Sequence, residues 1–83
     1  MKRTLKAIAS EIHRDWGEKV YFGARPYLDA MEELDSIHDR YYLDSAESVV
    51  LYFLANATTW RGETARRVKA ELKSMLKEVK QAA

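Results

Sequence analysis

Apolar and polar residues alternate with a helical rhythm through the last third of the chain. From Gly62 onward, Ala65, Val68, Leu72, Met75 and Val79 recur at spacings of three, four, three and four, and Leu76 widens the stripe. Arg66, Lys69, Lys73, Lys77 and Lys80 fill the other positions. Spacings that track the 3.6-residue period predict one long amphipathic helix with an apolar seam and a positive back. The seam needs a partner, and two earlier segments offer one. Leu5, Ile8, Ala9, Ile12 and Trp16 line one face of a first helix predicted from Thr4 to Trp16. Thr4 suits the N-cap, and Gly17 can take the left-handed conformation that closes a helix. Val20-Tyr21-Phe22 reads as a short extended or helical approach, and Gly23 permits a bend. Pro26 suits the first turn of a second helix, where its missing N–H costs nothing. Tyr27, Leu28, Met31 and Leu34 carry that stripe to about Asp35.

Residues 49–55 break the rhythm, because Val49-Val50-Leu51-Tyr52-Phe53-Leu54-Ala55 leaves almost no polar face. Asp44 followed by Glu47 resembles a capping box, so a third helix is predicted from Asp44 to about Thr58. A helix apolar all round belongs in the middle of a structure. Residues 35–43 form the longest candidate loop. Ser36, Asp39 and Asp44 favour local side-chain-to-backbone bonds there, and Ile37, Tyr41, Tyr42 and Leu43 are expected to pin it to the core. No alternating run bounded by turn residues persists, so no sheet is expected. The predicted fold class is all-α: a compact bundle of about four helices around a central apolar helix, in a single helical domain spanning 1–83.

Size and charge refine this picture. A chain of 83 residues makes one domain and buries only about 60–65% of the surface its unfolded form exposes. Cysteine is absent, which removes disulfide and thiolate chemistry and fits an intracellular protein. The basic start is followed by no apolar run, so no secretory signal is expected. The longest apolar run falls well short of the roughly 20 residues that a membrane helix needs. The expectation is a cytoplasmic protein with no membrane partner. The net charge of +1 hides a polarised distribution. Both ends are basic, while residues 17–60 carry Lys19, Arg25 and Arg40 against eight acidic side chains. Either the ends and the middle attract one another in the fold, or two surfaces of opposite sign serve different partners.

Candidate chemistry is sparse. His13 lies beside the first apolar stripe and reads as a boundary residue. His38 lies between Asp35 and Asp39, and the three could touch one metal ion, but a catalytic zinc site usually has more histidine. A solvated polar loop is the competing reading. Asp29, Glu32, Glu33 and Asp35 cluster, yet they lie away from the apolar stripe, where burial would have to separate their pKa values for acid–base work. No phosphate-cradling glycine loop and no nucleophile context around any serine is present. No enzyme, cofactor or metal is therefore expected. The segment Trp60-Arg61-Gly62-Glu63-Thr64-Ala65-Arg66-Arg67 brings an aromatic and arginines to a helix start. Such residues stack on bases and neutralise phosphates, and they also dominate protein–protein hot spots. Trp60 packed under the turn beside a merely solvated basic strip is the alternative.

The runs Tyr21-Phe22-Gly23-Ala24-Arg25-Pro26-Tyr27-Leu28 and Leu51-Tyr52-Phe53-Leu54-Ala55-Asn56-Ala57-Thr58-Thr59-Trp60-Arg61-Gly62 resemble those of small uncharacterised proteins carried by phages and conjugative elements of Gram-positive bacteria. The resemblance implies no catalytic residue and no established activity. It favours an accessory protein that binds a host or element-encoded macromolecule. The resulting expectation is a non-enzymatic adaptor or modulator working through protein contacts at Tyr41, Tyr42, Trp60 and Arg61. The alternative is nucleic-acid binding by Arg66, Lys69 and Lys73 of the last helix. The chain is expected to be a monomer or a homodimer.

Overall fold

The computed structural model describes residues 3–82, with side chains to Val79, so the Lys2 and Lys80 side chains of the predicted basic ends lie outside the described residues. Helix α1 spans Leu5–Trp16. Thr4 Oγ1 accepts the Ala7 N–H at 3.0 Å, which satisfies one of the amides that every helix start leaves unpaired. Two more are met from a distance in sequence: Leu5 N–H donates to Asp35 O and Lys6 N–H to Leu34 O, each at 2.9 Å. The chain after the second helix thus closes the start of the first. Gly17, at φ 61°, ends α1 as expected and donates its N–H to His13 O. A 3-10 turn, Gly17–Lys19, follows.

Helix α2 spans Arg25–Met31 with Pro26 in its first turn. It stops short of Asp35. Glu33 and Leu34 turn back with i→i+3 bonds to Ala30 O and Met31 O, yet Leu34 stays buried. The loop that follows is a correction to the all-α expectation. Strands β1, Arg40–Tyr41, and β2, Asp44–Ser45, pair antiparallel with Arg40 opposite Ser45 and Tyr41 opposite Asp44. Each strand is too short to show alternation. The two-residue connection Tyr42-Leu43 carries none of the Gly, Asn or Asp residues that normally mark such a turn, although Tyr42 adopts φ 55°. Arg40 Nη2 donates to Leu43 O across the turn at 3.3 Å.

Helix α3 spans Ala46–Ala55 and ends before Thr58. Its N-cap is Ser45, whose Oγ accepts the Ser48 N–H at 3.1 Å; Asp44, expected in that role, lies in β2. Asn56 Nδ2 closes the far end on Tyr52 O at 2.8 Å. Helix α4, Glu63–Ala82, is the long C-terminal helix that the periodicity predicts. Its start follows Gly62 at φ 115°, a conformation that side chains rarely tolerate.

The fold is largely helical, with four α-helices and one two-stranded ribbon among the described residues. Helix α1 packs on α2 and α4, and α3 packs on the same two. Into the space they enclose project Leu5, Ile8, Ile12, Leu28, Met31, Phe53, Val68 and Leu72, all fully shielded. Helix α3 is one wall of this core rather than a sheathed centre. It buries Ala46, Val49, Val50 and Phe53, while Leu51 and Tyr52 are 46% and 56% exposed. Among the described residues no helix is long and apolar enough to cross a membrane.

Candidate functional site

Residues 57–62 turn the chain from α3 into α4, and Trp60 is the side chain that organises them. Its backbone N–H donates to Ala57 O at 3.1 Å. Its ring stacks on Trp16, with centroids 5.6 Å apart and planes 15° from parallel. Phe53 meets both tryptophans edge-on, at 6.2 Å from Trp16 and 6.4 Å from Trp60. Indole Nε1 donates to Asp15 Oδ2 at 2.8 Å, so the one polar atom of the ring is satisfied. Trp60 is buried, and its expected role as a surface contact is withdrawn. So is its availability for stacking on a base.

Lys69 belongs to the same structure. Its ammonium donates to Trp60 O at 2.6 Å and lies 5.9 Å from the Trp60 ring centroid. Burial, and then the nearby Lys73 and Arg61 charges, hold it below the ordinary lysine pKa. Of the three residues expected to meet phosphates, Lys69 is thus turned inward, while Arg66 and Lys73 are exposed with Arg61.

Charge elsewhere ties the two ends of the chain together. Arg3 grips Glu71 through Nε at 3.1 Å and Nη2 at 2.6 Å, and reaches Glu11 with Nη1 at 2.7 Å. Arg67 pairs with the other Glu11 oxygen. The hydrogen bonds from Arg67 and then from Arg3 hold the Glu11 carboxyl below its usual range. These pairs join α1 to α4, basic end to basic end. They do not bring the ends onto the acidic middle.

The hairpin presents the other surface. At its base Asp39 accepts the Asp35 N–H at 3.1 Å and the Ser36 N–H at 2.9 Å, and those two bonds hold its carboxyl below the ordinary value. Ala46 N–H donates to Asp39 O at 2.8 Å, and His38 N–H to Ser36 Oγ at 3.1 Å. The Asp39 carboxylate, one of three groups that could have touched a metal ion, fastens the loop instead. Tyr41 is half-buried against the core. Burial, and then the Glu33 carboxylate, push its phenol up.

Beyond this base the tip is bare. Tyr42 is 82% exposed and Leu43 92% exposed, so neither pins the loop to the core as expected. Phe22, Leu51 and Tyr52 are also exposed. Segments 21–28 and 51–62 meet in space. Tyr27 stacks on Tyr52 at 5.5 Å, and a Cβ added at Gly23 would lie 2.9 Å from Asn56 Oδ1.

No family model matches this sequence, and neither a curated protein nor a solved structure shows significant similarity to it. Leu43, Leu51, Tyr52 and Phe22 were not among the expected contacts. Their signal in sequence is an apolar residue outside the spacing of its neighbours' stripe, which is visible only once the buried face is known.

Proposed function

We propose that this protein is a small non-enzymatic adaptor or modulator that acts through protein contacts, with the hairpin tip as its principal surface. The observation that carries this reading is Tyr42, a bulky aromatic 82% exposed and in the left-handed region at φ 55°. A bulky side chain at positive φ is uncommon and strains the backbone. Burial does not offset that strain, because the ring is exposed to solvent beside Leu43. Tyrosine in a preordered loop offers a large amphipathic contact at low entropic cost on binding. The base of the loop is fastened through Asp39, so the tip meets a partner already shaped. Of the contacts expected from sequence, Tyr42 stays central, Tyr41 supports it edge-on at 4.7 Å, and Arg61 is exposed but on the turn beside α4.

Affinity capture from a cell lysate tests this, with wild type beside a Tyr42→Ser, Leu43→Ser double variant. A protein recovered by wild type and lost by the variant supports the tip as the contact. Equal recovery by both removes it. On the resemblance of segments 21–28 and 51–62 alone, we also propose that the chain is carried by a mobile element, which directs the search to lysates of a Gram-positive host.

A second reading rests on a different observation. Arg66 and Lys73 are exposed, two turns apart on α4, with Arg61 exposed at its start. Cations so placed can follow a phosphate backbone. This reading requires binding to duplex or single-stranded nucleic acid that weakens steeply with salt, and a shallower slope after Arg61, Arg66 and Lys73 are changed to Gln. Absence of a mobility shift at low salt ends it.

A further inference from the structure

The packing of α1 on α2 brings together three side chains that the sequence keeps apart. His13 lies in the last turn of α1. Asp29 lies in α2, and Glu32 is the residue that ends it. One ligand atom from each, an imidazole nitrogen and two carboxylate oxygens, can be chosen so that all three lie within 4.8 Å of one another. Glu32 Oε1 stands 2.6 Å from His13 Nε2. Yet Nε2, itself shut off from solvent, makes no hydrogen bond.

Those two facts together are informative. A hydrogen bond needs the acceptor near the N–H axis, so a close oxygen without a hydrogen bond lies off that axis. A metal ion occupies the axis itself and holds its other ligands to the side. A tetrahedral ion about 2.1 Å from both atoms sets them about 3.4 Å apart, with the oxygen well off the nitrogen's axis. Reaching that spacing from the 2.6 Å ion-pair contact needs a rotation of the Glu32 side chain, which is 45% exposed. Asp29 and Glu32 open to water, which leaves solvent for the remaining coordination positions.

We propose that His13, Asp29 and Glu32 form a binding site for a first-row divalent cation. One imidazole and two carboxylates are the donors that zinc and its neighbours accept, whereas calcium and magnesium favour a fuller shell of oxygen. The site ties the end of α1 to the end of α2, and it stands or falls independently of the protein-contact reading.

Zinc titrated alone into the metal-stripped full chain tests it, by calorimetry and by the imidazole signals in nitrogen–proton correlation spectra, with His38 as an internal reference. The expected result is one zinc per chain, movement of the His13 ring signals without the His38 signals, and no displacement by calcium. His13→Gln and Glu32→Gln should each weaken binding about tenfold or more. Circular dichroism is the check that each variant is folded. Glu32→Gln, at the exposed end of a helix, keeps the test decisive if His13→Gln perturbs α1. No binding at millimolar zinc, binding that moves His38 instead, or affinity unchanged in folded Glu32→Gln would overturn the proposal.

Discussion

Helices α3 and α4 pack into the same core but leave opposite surfaces behind. Helix α4 buries Ala65, Val68, Leu72, Met75 and Leu76 and turns Arg66, Lys73 and Lys77 outward. Helix α3 buries Ala46, Val49, Val50 and Phe53 and turns Leu51 and Tyr52 outward. In α4 the outward positions carry charged or polar side chains, apart from the small Ala70. In α3 the outward positions carry more apolar area than the fold can cover. A periodic pattern states which face is buried. A uniformly apolar one states only that some face is, and its surplus is left on the surface. Leu51 and Tyr52 on α3, like Tyr42 and Leu43 at the hairpin tip, are that surplus.

One substitution on each helix separates the two surfaces most strongly. Leu72 is fully buried and Leu51 is 46% exposed. Leu72→Ala should cost about 2–5 kcal/mol through lost burial and the cavity left behind. Leu51→Ala should change stability by about 0.5 kcal/mol at most. Urea denaturation followed by circular dichroism measures both. Phe53→Ala, on the buried side of α3, should fall with Leu72→Ala at about 3–5 kcal/mol. Equal losses at Leu51 and Leu72 would mean that α3 is enclosed on all sides after all.

The aromatic turn between the two helices comes next in size. Asp15→Ala leaves the Trp60 indole N–H without its 2.8 Å acceptor. The expected cost is about 1–2 kcal/mol, the range for a donor that loses its charged partner close to the surface. A lower melting temperature and a red shift of tryptophan emission would report it. An unchanged melting temperature would show that the ring stack and the Lys69 bond to Trp60 O hold the turn unaided.

What could be read in advance follows from how local each determinant is. The caps of α1 were legible because Thr4 and Gly17 act on residues within one turn of themselves. The seam of α4 was legible because five positions repeat it. The cap of α3 was set one residue early, since Asp44 and Glu47 imitate a capping box while Ser45 and Ser48 form the actual pairing. The hairpin was hidden because its turn uses Tyr42-Leu43, and the left-handed residue is a tyrosine. Burial of Trp60 could not be decided locally, as its partner Asp15 lies 45 residues away. The convergence of His13 with Asp29 and Glu32 is a product of helix packing, and nothing within either segment announces it.

The tether between α4 and α1 gives a smaller effect with a definite sign. Glu11 is held below its ordinary value of 4.5 by Arg67 and Arg3. A carboxyl whose folded pKa is depressed contributes stability above its unfolded pKa and loses it as pH falls through the folded value. The contribution is therefore present at neutral pH and fades below about pH 4.5. Glu11→Gln should cost roughly 0.5–1 kcal/mol at pH 7, a figure kept small because solvent and salt screen the pair. The difference between wild type and Glu11→Gln should shrink towards zero in acid and in high salt. A difference that stays constant from pH 7 to pH 3 would show that Glu11 acts by packing and not by charge.

The smallest expected change in stability is at the hairpin tip, and it discriminates best between structure and function. Tyr42 holds a left-handed backbone at φ 55° while its ring is exposed. Asparagine tolerates that backbone better than a bulky aromatic does. If the tyrosine is there for the fold, Tyr42→Asn should destabilise the hairpin. If it is there for a partner, Tyr42→Asn should leave stability unchanged or raise it by a few tenths of a kcal/mol, while partner capture falls. Thermal unfolding and affinity capture on the same preparation separate the two. A loss above about 1 kcal/mol would place Tyr42 among the structural residues and remove the hairpin tip as the proposed contact surface.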